Sequence, residues 1–195
     1  MNRKEFLFSL SASVLAAICP GLLLKPEEKS LIIRPPGAIE ETLFSQFCVR
    51  CGQCLKVCSA NCLKPVKIIK SIRNWATPEI IPRQSGCIRC QSCSKVCPTG
   101  AIREVKNEEI KIGTAQINTQ QCLVWTHQKE CLVCLEFCPV QAVHKDQQDR
   151  PVVKPEMCVG CGLCEQNCPV TTQEAAIRVS VSGEKRYHIK ENRYY

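Results

Sequence analysis

Sixteen of the chain's 18 cysteines fall into four short runs along its 195 residues. The first run is Cys48, Cys51, Cys54 and Cys58, and the second is Cys87, Cys90, Cys93 and Cys97. The third is Cys122, Cys131, Cys134 and Cys138, and the fourth is Cys158, Cys161, Cys164 and Cys168. Three of them read C-x2-C-x2-C-x3-C, and the third widens its first gap to eight residues. Pro98, Pro139 and Pro169 follow the last cysteine of their runs, and Ser59 takes that place in the first. Thiolates at this spacing are iron–sulfur ligands: three wrap one [4Fe-4S] cluster, and the fourth reaches a second. The loop must bring its backbone close to a bulky inorganic core, which suits Gly52, Gly160 and Gly162. The three-residue step then sets the last cysteine about one helical turn beyond the third.

Other uses of cysteine fit less well. Zinc ribbons pair C-x2-C knuckles some 15–20 residues apart and do not need four thiols inside eleven residues. A disulfide framework suits an exported chain, but cysteines two residues apart bridge poorly. A mixed case, in which some runs have lost their cluster, is a third reading. The loop from Cys122 to Cys131 holds Trp125 and His127. With four cysteines already available to the third run, His127 reads as a solvated loop residue. Cys62 lies four residues after Cys58 and could replace it as a ligand, but we expect Cys58 to ligate and Cys62 to be a buried free thiol. The sequence thus predicts four [4Fe-4S] clusters on sixteen cysteine ligands.

The elements that position these thiols follow from a fourfold internal repeat, in which runs two to four begin 39, 35 and 36 residues after the run before. Two units make a two-cluster module, so the expected fold is α+β and ferredoxin-like: two tandem or nested dicluster modules of short helices and small antiparallel hairpins. Sequential pairing joins run one to two and three to four, and nested pairing joins one to four and two to three. Residues 101–105, 109–112, 115–118 and 151–154 alternate as strands do, with a hairpin expected over 100–118. The connector 63–83 is the most basic stretch, with Lys64, Lys67, Lys70 and Arg73 every third residue and Ile68, Ile69, Ile72 and Trp75 between them. It reads as an amphipathic helix begun at Pro65, apolar face on the module and basic face in solvent. Docking of that face to an acidic partner or an anionic lipid surface is the sharper option.

The ends carry other signals. Residues 1–24 have a basic start and a long apolar run, as in an export signal or an N-terminal anchor. Arg3-Lys4-Glu5-Phe6-Leu7 resembles a twin-arginine motif with lysine in the second place. Cys19 follows Ile18, which argues against lipoprotein processing. Residues 25–47 read as a linker, 48–182 as the polyferredoxin region, and 183–195 as a polar tail or docking strand.

The chain resembles the MauM/NapG family of ferredoxin-type proteins over about residues 30–180. The resemblance rests on Arg34-Pro35-Pro36-Gly37-Ala38, the first cysteine run, Ala76-Thr77-Pro78, the widened third run and Cys158-Val-Gly-Cys161-Gly-Leu-Cys164. It implies an exported, periplasmic protein with four [4Fe-4S] clusters. It also implies a membrane partner that oxidises quinol and a periplasmic redox acceptor. The Arg-Lys signal, Ser59 and Cys62 depart from the family pattern.

A molybdenum-type oxidoreductase subunit with four cysteine runs and a redox sensor are the rival readings. An independent enzyme is disfavoured, because no nucleotide loop or open metal site is visible and His127, His144 and His188 lack a catalytic setting. The formal net charge of +8 is not a nucleic-acid footprint. Sixteen thiolates around four 2+ cores add about −8 and bring the loaded chain to about zero. Arg50 and Lys56 in run one, and Arg89 and Lys95 in run two, stand where runs three and four carry Glu136 and Glu165. The clusters near runs one and two are therefore expected to be the easier to reduce.

Overall fold

A computed structural model describes residues 32–171 and 174–188. Residues 1–24, expected to be an export signal or anchor, therefore lie outside the described residues, as do Cys19 and the last seven residues. No helix among those described is long and apolar enough to cross a membrane.

Two units of the same plan follow one another. The first opens with helix α1 (Glu41–Phe47), which buries Phe44. Run one then passes into the single-turn helix α2 (Gln53–Lys56). Strands β1 (Leu63–Pro65) and β2 (Pro78–Ile80) pair antiparallel, Leu63 facing Ile80. Run two carries α3 (Ser92–Lys95), and a 3-10 turn at Asn107–Glu109 leads out. The second unit begins with β3 (Thr114–Ile117), and run three carries α4 (Val133–Glu136). Strands β4 (Val143–Lys145) and β5 (Pro151–Val153) form its hairpin. Run four carries α5 (Leu163–Gln166), and β6 (Ile177–Ser180) closes the unit.

Each unit is tied shut by pairing the chain before its first run to the chain after its second. In the second unit this is β3 against β6, in register from Thr114–Ser180 to Ile117–Ile177. In the first it is a bridge between Ala38 and Ile102. The inner hairpin joins the two runs of a unit. The architecture is thus α+β and tandem: runs one and two share a unit, and so do runs three and four. The hairpin expected over 100–118 does not form, because Ile102 and β3 are each claimed by a more distant partner.

Two expectations change. The stretch expected to be a linker is core from Ile32 onward, with Ile33, Ala38, Ile39 and Phe44 buried beside Cys54, Ile80 and Ile102. The connector is not a helix. It is the β1–β2 hairpin, whose ladder runs on through Val66 and Thr77 into a loop of turns. Its apolar residues face outward: Ile69 is 90% and Ile72 82% exposed, while Ser71 and Asn74 are buried. The polar groups turn inward because a buried cation needs them. Arg34, 1% exposed, donates to Glu41 through Nε and Nη2 at 2.9 and 2.5 Å, to Thr77 Oγ1 and the Pro78 carbonyl at 2.8 Å, and to Asn74 Oδ1 at 3.1 Å. Its guanidinium also stacks 4.3 Å from the Phe44 ring centre.

After β6 the chain returns to the first unit. Tyr187 bridges Ile39 in parallel, its N–H bonds the Ala38 carbonyl at 3.3 Å, and its hydroxyl donates to the Glu109 carbonyl at 2.9 Å. Residues 183–188 of the expected tail are therefore docked.

Candidate metal centres

Runs one, two and four build their loops in the same way. The residue after the second cysteine is left-handed at Gly52 (φ 73°), Gln91 (φ 56°) and Gly162 (φ 83°), and starts the single-turn helix. The residue before that cysteine is also left-handed at Arg50, Arg89 and Gly160. Run three is the exception: its equivalents, Glu130 and Leu132, do not have positive φ. The six residues added to its first gap bring the chain in by another path, pinned where Trp125 Nε1 donates to the Pro151 carbonyl at 3.0 Å and Arg150 stacks on the ring.

A second shared turn follows runs one, two and three. The N–H three residues after the last cysteine bonds back to its carbonyl in Asn61–Cys58 (2.9 Å), Gly100–Cys97 (3.5 Å) and Gln141–Cys138 (3.2 Å). Ser59 leaves this turn intact, so Cys58 holds the same place as Cys97 and Cys138.

The sixteen predicted thiols gather into four sets of four. Set A is Cys48, Cys51, Cys54 and Cys97, around a cavity of about 340 Å³. Set B is Cys58, Cys87, Cys90 and Cys93, around about 320 Å³. Set C is Cys122, Cys131, Cys134 and Cys168, around about 360 Å³. In set D, Cys138 and Cys158 lie close enough to Cys161 and Cys164 to raise the pKa of both. In every set three thiols come from one run and the fourth from the other run of the same unit. The near-equal open spaces at sets A, B and C argue for one kind of occupant in those three. All seventeen cysteines among the described residues are free. The exposed His127 does not line the set C cavity.

The electrostatics fit an occupant with a positive core. Burial raises Cys54 to about 11, and Cys93 and Cys134 to about 12, with each set's other thiols adding to the rise. Four thiols packed this way ionise together only around a compensating cation, so loading a set releases protons. A zinc ion would need its sulfurs about 2.3 Å from a single point. Among the described residues no three His, Cys, Asp or Glu side chains close on one such position. The thiols surround a volume, as a cubane requires. Their sulfurs also accept backbone N–H groups from Arg89 onto Cys87 (3.4 Å), Ile102 onto Cys97 (3.4 Å), Ala115 onto Cys158 (3.3 Å) and Ala142 onto Cys138 (3.2 Å). Hydrogen bonds to the ligand sulfurs are one of the protein's means of tuning a cluster.

How the units meet left no pattern in the sequence. The Cys87 N–H of set B bonds the Cys161 carbonyl of set D at 2.7 Å. Arg83 reaches across to the carbonyls of Glu165, Cys168 and Val170 at 2.8 to 2.9 Å. The Arg89 charge acts on both Cys87 and Cys161, and its buried Nε has no protein partner. With Cys54 beside Cys93 in one unit and Cys134 beside Cys164 in the other, the sets stand in the order A, B, D, C. Arg83 and Arg89 also place cations against run four, so the charge contrast between the early and late runs is weaker than their own residues suggest. Glu165 is buried, and desolvation raises its pKa although its carboxylate accepts the Val179 N–H.

Comparison with known proteins supports 4Fe-4S clusters. The 4Fe-4S dicluster domain model matches residues 47–101, 86–142 and 129–172. The first and last matches lie within the two structural units. The middle one spans runs two and three, which is expected where any two consecutive runs look alike. Ferredoxin-type protein NapG of Escherichia coli is 31% identical over 214 residues, covering 97% of this chain and 91% of that protein. Methylamine utilization ferredoxin-type protein MauM of Methylobacillus flagellatus is 30% identical, covering 90% and 80%. Ferredoxin-type protein NapF of Haemophilus influenzae is 37% identical over 142 residues, covering 71% and 75%.

Proposed function

This chain belongs to the ferredoxin-type family of 4Fe-4S dicluster proteins that includes MauM and NapG, and from that premise we propose that it is an exported carrier of electrons through four [4Fe-4S] clusters. The clusters are assigned to sets A to D, one to each group of four thiols, with all sixteen cysteines as ligands. Bound there, a cluster supplies one-electron exchange with little rearrangement of its ligands. The chain's part is to hold the thiols, give several of their sulfurs N–H donors and shield most of them from water. The observation that carries the reading is the convergence of four equivalent thiol sets in one unbroken order.

A membrane quinol-oxidising protein is the proposed donor and a periplasmic redox protein the acceptor. Support for this comes from the MauM/NapG relationship and the signal-like residues 1–24. Anaerobic purification with iron and sulfide analysis tests the cofactor assignment. About sixteen irons and sixteen sulfides per chain are expected. Iron near eight, or zinc in its place, would refute the assignment of four.

A further inference from the structure

The two units are repeats, and one difference between them stands out. The second unit closes its inner hairpin with five residues, Asp146 to Arg150, between β4 and β5. That tip is polar, tied by Asp146 accepting from Arg150 and from the Gln148 N–H. The first unit needs no more than this to join β1 to β2, yet twelve residues separate Pro65 from Pro78. The additional residues present Ile68, Ile69, Ile72 and Trp75 to solvent at 55%, 90%, 82% and 53% exposure.

The loop is built to hold those side chains out. Its inner side is fastened by Arg34 to Asn74 and by Thr77 Oγ1 to the Asn74 carbonyl at 2.5 Å. From the run-one loop, Arg50 donates to the Trp75 carbonyl at 2.9 Å and the Arg73 carbonyl at 3.1 Å. Lys70 is paired with the buried Glu79. The exposure of the isoleucines therefore belongs to a fixed, polar-anchored loop.

Charge indicates what covers it. No acidic residue lies between Glu41 and Glu79, while Arg50, Lys56, Lys64, Lys67, Lys70 and Arg73 all fall in that stretch. Lys67 and Arg73 are exposed within the loop itself. Aliphatic side chains and a tryptophan beside exposed cations suit the boundary between lipid headgroups and acyl chains. We propose that the loop 67–75 docks the protein on an anionic lipid bilayer, Ile69 and Ile72 entering the interface and Lys67 and Arg73 meeting the phosphates. Through Arg50 the docked loop is joined to the loop of set A, so set A is the end of the series that faces the membrane. The docking itself does not depend on the electron-transfer reading.

The test is amide hydrogen exchange on the full-length, cluster-loaded protein, because it reports the loop separately from residues 1–24. Vesicles of phosphatidylethanolamine and phosphatidylglycerol should slow exchange in residues 67–76 several-fold, and phosphatidylcholine vesicles should not. The double variant Ile69→Ser, Ile72→Ser should lose this protection while keeping its cluster absorbance, since neither side chain is packed. Lys67→Gln with Arg73→Gln should weaken it, as should raised salt. Unchanged protection in the isoleucine variant, equal protection by phosphatidylcholine, or protection only after a membrane protein is added would overturn the proposal.

Discussion

Cys62 occupies the position that alanine fills in two other repeats. Ala101 and Ala142 lie four residues after Cys97 and Cys138, as Cys62 does after Cys58, and all three are buried. A small side chain is all the fold requires there. The added sulfur sits 3.5 Å from Cys58 Sγ and lines the set B cavity. The hydrogen bond with Cys87, then burial and the neighbouring thiols, push the Cys62 pKa up, and the same hydrogen bond holds Cys87 down at about 7. We assign Cys58, which keeps the turn shared with Cys97 and Cys138, as the set B ligand, and Cys62 as a thiol beside that set. Cys62→Ala should keep the full iron content and the fold. Losing a donor worth about 1 kcal/mol should lower the set B midpoint potential by on the order of 40 mV for one electron. Cys58→Ala should instead lose the set B signal in EPR and its share of the iron. If Cys62→Ala loses the iron and Cys58→Ala does not, the assignment of Cys58 is wrong.

Among the elements, the N-terminal segment depends most on a single side chain. Arg34 uses every guanidinium N–H, and it links α1, the loop and the start of β2 through Glu41, Asn74, Thr77 and Pro78. Gly37 then turns the chain at φ 79°, where a Cβ would lie 1.8 Å from the Arg103 carbonyl oxygen. Arg34→Met should cost roughly 2–4 kcal/mol, because buried acceptors lose their donor while the half-exposed Glu41 regains water. Cluster bleaching on heating should then begin roughly 10 °C lower, and Thr77→Val should cost a smaller share. An unchanged bleaching temperature in Arg34→Met would show the network to be incidental. Both motifs were visible in the sequence as Arg34-Pro35-Pro36-Gly37-Ala38 and Ala76-Thr77-Pro78. What could not be read was that they are partners, since a contact across some forty residues leaves no local pattern. The connector failed as a helix for a related reason: its spacing of cations and isoleucines fits 3.6 residues per turn, but Arg34 draws its polar groups inward. The four single-turn helices were legible because thiol spacing fixes them locally. The union of β3 with β6, sixty residues apart, was not.

At the scale of the molecule, the junction between units decides whether four sites form one series or two separate pairs. The Cys87 N–H to Cys161 bond, the reach of Arg83 and the unpartnered Nε of Arg89 all lie at that junction. Gly113 and Gly160 meet there so closely that a Cβ on Gly160 would fall 2.4 Å from the Gly113 nitrogen. Sets B and D are therefore joined directly through the backbone, and A and C are the ends. Magnetic coupling between reduced clusters reads this order, since neighbours split each other's EPR signals and distant ones do not. In the loaded protein, A should couple to B, B to D and D to C. Cys90→Ser, at an exposed ligand of set B, should reduce the iron to about twelve per chain. It should also leave the A signal unsplit while the D–C splitting survives. Nested pairing would instead join run one to run four and keep A coupled to D. A split A signal in that variant would therefore refute the order A, B, D, C, and with it the continuous path from the membrane-facing end of the protein to set C.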